Sequence, residues 1–419
     1  MTLDILAGLM SPQTAQDPYP FYAWLRENAP VHANPTGGVY LVSRNDDARY
    51  VYQSPKLRRI RTDELATRYP DWNDSRPLRI VSQIFASADP PDHTRVRRIV
   101  SRHFTLRQAR LLRAKAEIHC DRLLAALTTK LADGQTADLH HELTEPVGMS
   151  LTSDIIGIPE ADRRELSRLI LRVLAGIDAT TIDRQVLAAG NEVEEYFTAL
   201  AAERCRAPTE DLISVLLSDV TEGSDQPERG MNWDEFLRQL WVLWSGSFET
   251  TVAAMDLGVL AMLTFPKQAH WLDEGPEAVH AFVSETLRYN SPVLIEAAPH
   301  IAIEDIPLSG ITVPEGADLR PLHGAANRDP EAFPDPDRFD PSRNTSRMIT
   351  FGHGIHHCLG ANLARMECAV VLSRLRKQLP DLALPTPPVL RPSLGVQTFE
   401  RFPIALLRPP GNQSRESII

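Results

Sequence analysis

Three glycines, at 352, 354 and 360, surround Cys358 in Phe351-Gly352-His353-Gly354-Ile355-His356-His357-Cys358-Leu359-Gly360, and an apolar helical pattern follows through Ala361, Leu363, Met366 and Val370. Glycine, lacking a Cβ, lets backbone come close to a bulky group. The start of the helical pattern offers backbone N–H groups and the positive end of the helix dipole, both of which favour an anion. A thiol at Cys358 is therefore expected to have a lowered pKa and to act as a thiolate. Two chemistries suit a lone thiolate in such a pocket: an axial haem ligand that pushes electron density onto iron, and a nucleophile paired with a histidine. His353, His356 and His357 crowd the cysteine, but no second cysteine is near, which argues against zinc. Cys120, Cys205 and Cys368 read as small buried hydrophobes. On local chemistry alone, haem and nucleophile stay equally open.

The same ten residues resemble the haem-binding signature of the cytochrome P-450 family, Phe-Gly-x-Gly-x-His-x-Cys-Leu-Gly, without gap or mismatch. The resemblance implies a haem b cofactor with Cys358 as its thiolate ligand and metal-binding residue. It also implies that His356 reaches a haem propionate, that Phe351 and Gly352 flank the ligand, and that Gly360 lets the next helix approach the macrocycle. The fold it implies is mainly α with a minor β region, a triangular prism with haem between a long central helix and the cysteine loop.

The chain has 419 residues, 43% of them hydrophobic, enough for a large core, and it reads as one domain over 1–419 with about 411–419 a flexible tail. A net charge of −11 without any lysine/arginine block argues against nucleic acid. Four irregularly spaced cysteines argue against a disulfide framework. The first residues form neither a signal nor an anchor, and no run approaches the roughly 20 apolar residues of a spanning helix. The expectation is a soluble, cytoplasmic monomer of the family's bacterial branch, bound to no membrane.

Residues 38–43 and 300–313 read as short strands, and most of 92–290 as helix, with Leu111, Ala114 and Ile118 as examples of apolar spacing. From Pro314 to Thr350 the chain reads as an irregular meander. Asn232 followed by Trp233-Asp234-Glu235 is a capping-box start, and Pro266 stops the apolar run after Phe265. Some 33 residues would make about 50 Å of helix. Its middle, Ser245-Gly246-Ser247-Phe248-Glu249-Thr250-Thr251, puts small, polar and charged groups where an interior is expected. A kink with satisfied hydroxyls would explain that stretch.

That stretch also resembles the family's oxygen-activating motif, with Gly246 in its first position and Glu249 and Thr250 as the catalytic acid–alcohol pair that relays protons during dioxygen activation. Ser247 stands where a second glycine is usual. Glu285 and Arg288 match Glu-x-x-Arg, with Arg343 as the meander partner, a structural trio locking the core. His93 and Arg97 share a helix face and, by resemblance, reach haem propionates. A third propionate partner is commonly an arginine; here His300 takes the position, which would make haem affinity or potential sensitive to pH.

The implied activity is a monooxygenase that inserts one oxygen atom from O2 into a hydrophobic small molecule, most often by hydroxylation in secondary metabolism. Electrons would come from a ferredoxin and ferredoxin reductase, with Arg102, Arg347 and Arg365 as docking candidates. Oxidative coupling, desaturation, peroxide-driven oxidation and a non-catalytic haem protein are the alternatives. The substrate pocket implied by the family's contact segments draws on Ile84, Phe85, Leu174, Trp244, Ser247, Phe248, Leu294, Ile295 and Phe399.

Overall fold

The Glu235 N–H donates to Asn232 Oδ1 at 2.8 Å, and the Asn232 N–H donates to the Glu235 carboxylate at 2.9 Å, closing the expected capping box. The helix that starts there runs Trp233–Thr264, 32 residues, and ends at the C-cap Phe265 before Pro266. This computed structural model describes residues 4–35, 38–68, 84–178, 183–221 and 230–407; the expected tail at 411–419 lies outside them. Against expectation, the long helix does pass as a membrane span by length and composition, with mean hydropathy 1.2 over its apolar window. That window is 67% buried within the protein, because the helix is the axis of the core.

Around it pack the helices Glu145–Ile156, Pro276–Tyr289 and Ala361–Gln378. Phe248, Val252, Met255 and Val259 meet Leu363, Val371, Leu372 and Leu375 in the largest apolar cluster. The helix Leu106–Ala132 closes on that cluster through Ala116, Cys120, Leu124, Leu127 and Leu131. Its expected apolar face is corrected: Leu111 and Ile118 are 64% and 66% exposed. Both sets of positions recur at helical spacing, so periodicity gives the helix but not the face that packs. Cys120 and Cys368 are buried as expected, whereas Cys205 is exposed.

A five-stranded sheet runs in the order Val31–Ala33, Val39–Val42, Asp318–Pro321, His300–Ala302, Leu57–Arg58. Val39–Val42 pairs in parallel with Asp318–Pro321, and the other pairs are antiparallel. The expected strand at 300–313 is instead three short ones, His300–Ala302, Ile306–Leu308 and Ile311–Val313, the last two a hairpin turning at Ser309 and Gly310 with positive φ. The meander begins later than expected, since Asp318–Pro321 is strand and His323–Ala326 a helical turn. A second hairpin pairs Val389–Leu390 with Phe399–Arg401.

Glu285 and Arg288, both fully buried, form two hydrogen bonds of 2.7 Å. Arg343 Nε lies 3.5 Å from Glu285, and the Asp340 N–H donates to the same carboxylate at 2.8 Å. Arg288 also donates to the Asn327 carbonyl at 2.9 Å, so the trio ties the Pro276–Tyr289 helix to the meander.

Candidate active site

The cysteine turn is shaped by its glycines. Gly352 and Gly354 have φ of +66° and +69°, and a Cβ at Gly354 would lie 2.8 Å from the Tyr52 carbonyl oxygen. The Cys358 N–H donates to the Phe351 carbonyl at 2.7 Å, and Gly360 caps the helix Ala361–Gln378. Backbone N–H groups of Gly360 and Ala361 reach the thiol, and Arg97 and Arg365 stand near it. The expected lowered pKa is nevertheless corrected. Although the sulfur opens onto a cavity, protein encloses it elsewhere, and burial pushes the thiol up against the amides and guanidinium charges. A metal held at this sulfur would supply the ionisation, since coordination deprotonates a thiol.

The cavity encloses about 1320 Å³ of free space, counting its open mouth. The long helix lines it with Leu243, Gly246, Ser247, Thr250 and Ala254, one face at three- and four-residue steps. Cys358, Gly360 and Leu363 line it too, as do Phe85, Val293, Glu296 and Ala297. Of the nine expected pocket residues, Phe85 and Ser247 line this cavity. Trp244 and Phe248 do not: each lies one residue, about 100°, around the helix and is buried in core. Leu294 and Ile295 pack with Tyr22 and Leu322, while Val293 and Glu296 take the cavity side. Phe399 packs on Phe402, Leu174 lies against the cluster around Trp244, and Ile84 does not reach the cavity.

Two hydroxyls of the central helix that line the cavity are committed. Ser247 Oγ donates to the Leu243 carbonyl, and Thr250 Oγ1 donates to the Gly246 carbonyl at 2.8 Å. Thr250 faces the cavity, but Glu249 turns away and pairs with Arg391 at 2.7 Å.

Beside the thiol lies a group of buried nitrogens. His93 is 3% exposed and its ring centroid is 4.3 Å from that of His356. Neither nitrogen of His93, nor His356 Nδ1, nor Arg59 Nε has a hydrogen-bond partner among the described residues. Burial and the charge of Arg59 push His356 down to about 3. Arg97 reaches the His357 carbonyl. His300 is buried with Arg59 Nη1 3.3 Å from its Nδ1. Burial and that cation disfavour its charged form and hold it well below the usual imidazole value, against the pull of Glu296. Next to it, the Tyr52 hydroxyl donates to Glu296 at 2.6 Å and contacts His323 Nε2. Burial would raise Glu296, but the Arg59 charge and the Tyr52 hydroxyl hold it at about 2.

These features fit haem. Unpartnered buried donors suit anionic edge groups, since a buried polar group is costly until hydrogen-bonded. At Gly246 and Gly360 a Cβ would meet no other protein atom within 4 Å, so the bare backbone there leaves width for a flat ligand.

The Cytochrome P-450 family model matches residues 277–378, which include Glu285, Arg288 and Cys358. A relative named Cytochrome P-450 BJ-3, from Bradyrhizobium diazoefficiens, is 37% identical over 418 residues, covering 96% of each chain. The chain belongs to the cytochrome P-450 family. Vitamin D(3) 25-hydroxylase from Pseudonocardia autotrophica is 35% identical over 93% of this P-450 and 94% of that protein. The crystal structure of a myxobacterial P-450 in complex with myristic acid superposes with a TM-score of 0.85 at 32% identity, covering 96% of this chain and 99% of that one. This P-450 is thus a haem-dependent monooxygenase with the mainly α fold of its relatives. The hydrolytic alternative for its cysteine falls away.

The P-450 signature does not reveal Arg59, Tyr52, Glu296, His323 or Arg391. Arg58-Arg59 between Leu57 and Ile60, and Glu296 after Leu294-Ile295, are charges inside apolar runs, a signal that could have singled them out. Arg391 carries no such mark.

Proposed function

We propose that this enzyme hydroxylates a mostly apolar small molecule, with Cys358 as the haem ligand and Glu249 and Thr250 as its proton relay. The observation that carries the reading is that Thr250 and Cys358 line one and the same largely apolar cavity. Haem bound at Cys358 supplies dioxygen activation and the oxygen atom to be inserted. The chain's own residues do the rest. His93, Arg97 and His356 donate to the propionates. Thr250 holds a proton at Oγ1 on the cavity side, and Glu249, one position back, carries protons in from the Arg391 side. Leu243, Ala254, Val293 and Phe85 exclude water and receive the substrate.

Relatives named Vitamin D(3) 25-hydroxylase and Polyketide biosynthesis cytochrome P-450, and a solved relative holding myristic acid, support an apolar substrate class and a place in secondary metabolism. The enzyme works as a single cytoplasmic domain and monomer fed by a ferredoxin and its reductase. Arg102, exposed beside Asp219, and Arg347, beside Asp46, are its docking cations. Arg365 is not: its guanidinium lies over the Phe351 ring at 4.3 Å, on the thiol side.

The test starts with the carbon monoxide spectrum of the reduced protein, where a red-shifted thiolate band is expected. Apolar compounds are then screened by spin-state shift, and hits are turned over with ferredoxin and reductase under labelled O2. One labelled oxygen per product is expected. Label from water, or a histidine-type carbonyl band, would overturn the reading.

A further inference from the structure

We propose that Arg59 is a haem-propionate ligand of this chain, standing in for the arginine that the family pattern places at His300. The inference rests on the assignment of haem to Cys358.

The sheet brings the two residues together. Leu57 pairs with Ala302 and Arg58 with Ile301 in antiparallel register, so the next step of the ladder sets Arg59 beside His300. The guanidinium thus enters from the neighbouring strand toward the place where an arginine at 300 would stand. Its backbone N–H donates to Asp89 at 2.8 Å, which ties it to the turn leading into the Asp92–Ser101 helix that carries His93 and Arg97.

Arg59 is 4% exposed, yet its donors are only partly used. Nη1 donates to the Ala298 carbonyl at 3.0 Å, while Nε has no partner among the described residues. The nearby Glu296 feels its charge, but its oxygens accept from other donors. One oxygen of Glu296 accepts from Tyr52 at 2.6 Å and the other from the Ala298 N–H at 3.0 Å. A buried cation with an uncommitted N–H is expensive unless an anion completes it.

The anion has a place. His356 lines both the thiol cavity and the adjoining one that Arg59, His300 and Asp89 line. The unpartnered nitrogens of His93, His356 and Arg59 therefore belong to one buried group. His300, kept neutral by burial and by Arg59 itself, cannot supply the positive charge. A planar guanidinium with a fork of donors can, and charge-assisted bonds to carboxylates are the strong ones.

The experiment compares transfer of haem from the holoenzyme to apomyoglobin for wild type, Arg59→Gln, Arg59→Lys and the double variant Arg59→Gln/His300→Arg. Each is loaded with haem or with its dimethyl ester, whose propionates are uncharged. Arg59→Gln should lose native haem about tenfold to a hundredfold faster, the range expected for one charge-assisted bond. Arg59→Lys should fall between it and wild type, and the double variant should regain most of the retention. With the ester, all four should release the macrocycle at similar rates.

Equal acceleration for haem and ester would mean that Arg59 only supports the fold, and would overturn the proposal, as would unchanged retention. Should Arg59→Gln not fold, a lysine variant that loses haem faster than wild type but releases the ester at the wild-type rate supports it, and one equally impaired for both overturns it. A wild type lacking the thiolate carbonyl band would instead remove the haem assignment, a failure seen before any variant is made.

Discussion

The carboxylate of Glu249 lies 2.7 Å from the guanidinium of Arg391, a residue 142 positions further along the chain in the C-terminal hairpin. The acid is thereby held facing away from the cavity that its neighbour Thr250 lines. Positioned acids contribute about 10²–10⁴-fold. Glu249→Gln is expected to lower kcat about a hundredfold, and Arg391→Ala about tenfold by leaving the acid unheld. Substrate affinity, read from the spin-state titration, should change less than twofold in both. An Arg391→Ala enzyme with wild-type kcat would separate the arginine from proton delivery.

Thr250 and Ser247 are both cavity hydroxyls, but they are not equivalent. Thr250→Val should keep electron consumption and divert about half or more of it to peroxide, measured as product formed per NADH. Ser247→Ala should leave that ratio unchanged, because the proposed relay runs through Thr250, next to Glu249, and does not use the serine.

Glu285 and Arg288 are so deeply buried that surface-pair energies do not apply. Removing one partner leaves an uncompensated charge, a loss of about 3–5 kcal/mol. Glu285→Ala should lower the urea midpoint accordingly and reduce haem content on purification. A shift below 1 kcal/mol would show that Asp340 and Arg343 reorganise to satisfy the arginine.

Glu367, on the helix after Cys358, is 1% exposed, one of its oxygens has no partner among the described residues, and burial pushes its carboxyl up to about 8. The folded chain therefore keeps a proton there that the unfolded chain releases near pH 4.5. Stability falls as pH rises between those values, by roughly 1.4 kcal/mol per unit while only the unfolded form is ionised. Glu367→Gln carries no such slope. Its advantage over wild type in urea unfolding should widen from pH 6 to 8 and then level off. Parallel curves would mean that the acid is ionised and paired when folded.

The cysteine loop, the capped central helix and the Glu285–Arg288 pair were legible because each rests on local chemistry: glycine turns, a cap, a three-residue spacing. The substrate wall was not. Trp244 and Leu243 differ by one step of a helix apolar on almost every side, and only packing decides which faces the cavity. Leu111 and Ile118 fail for the same reason on Leu106–Ala132. Arg59 meets His300, 241 positions on, through a strand pairing, and Arg391 meets Glu249, 142 positions back, through a side-chain ion pair, and no short window of sequence contains both partners of either.

Glu235 has two duties. It closes the cap on Asn232, and it receives both terminal nitrogens of Arg95, at 2.5 and 3.0 Å, from the helix that carries His93 and Arg97. The helix that carries His93 and Arg97 and the helix that carries Thr250 are thus referred to a single carboxylate. A displacement of that anchor would act on both helices at once, so this end of the molecule ties the residues proposed to hold the cofactor to those that face the cavity.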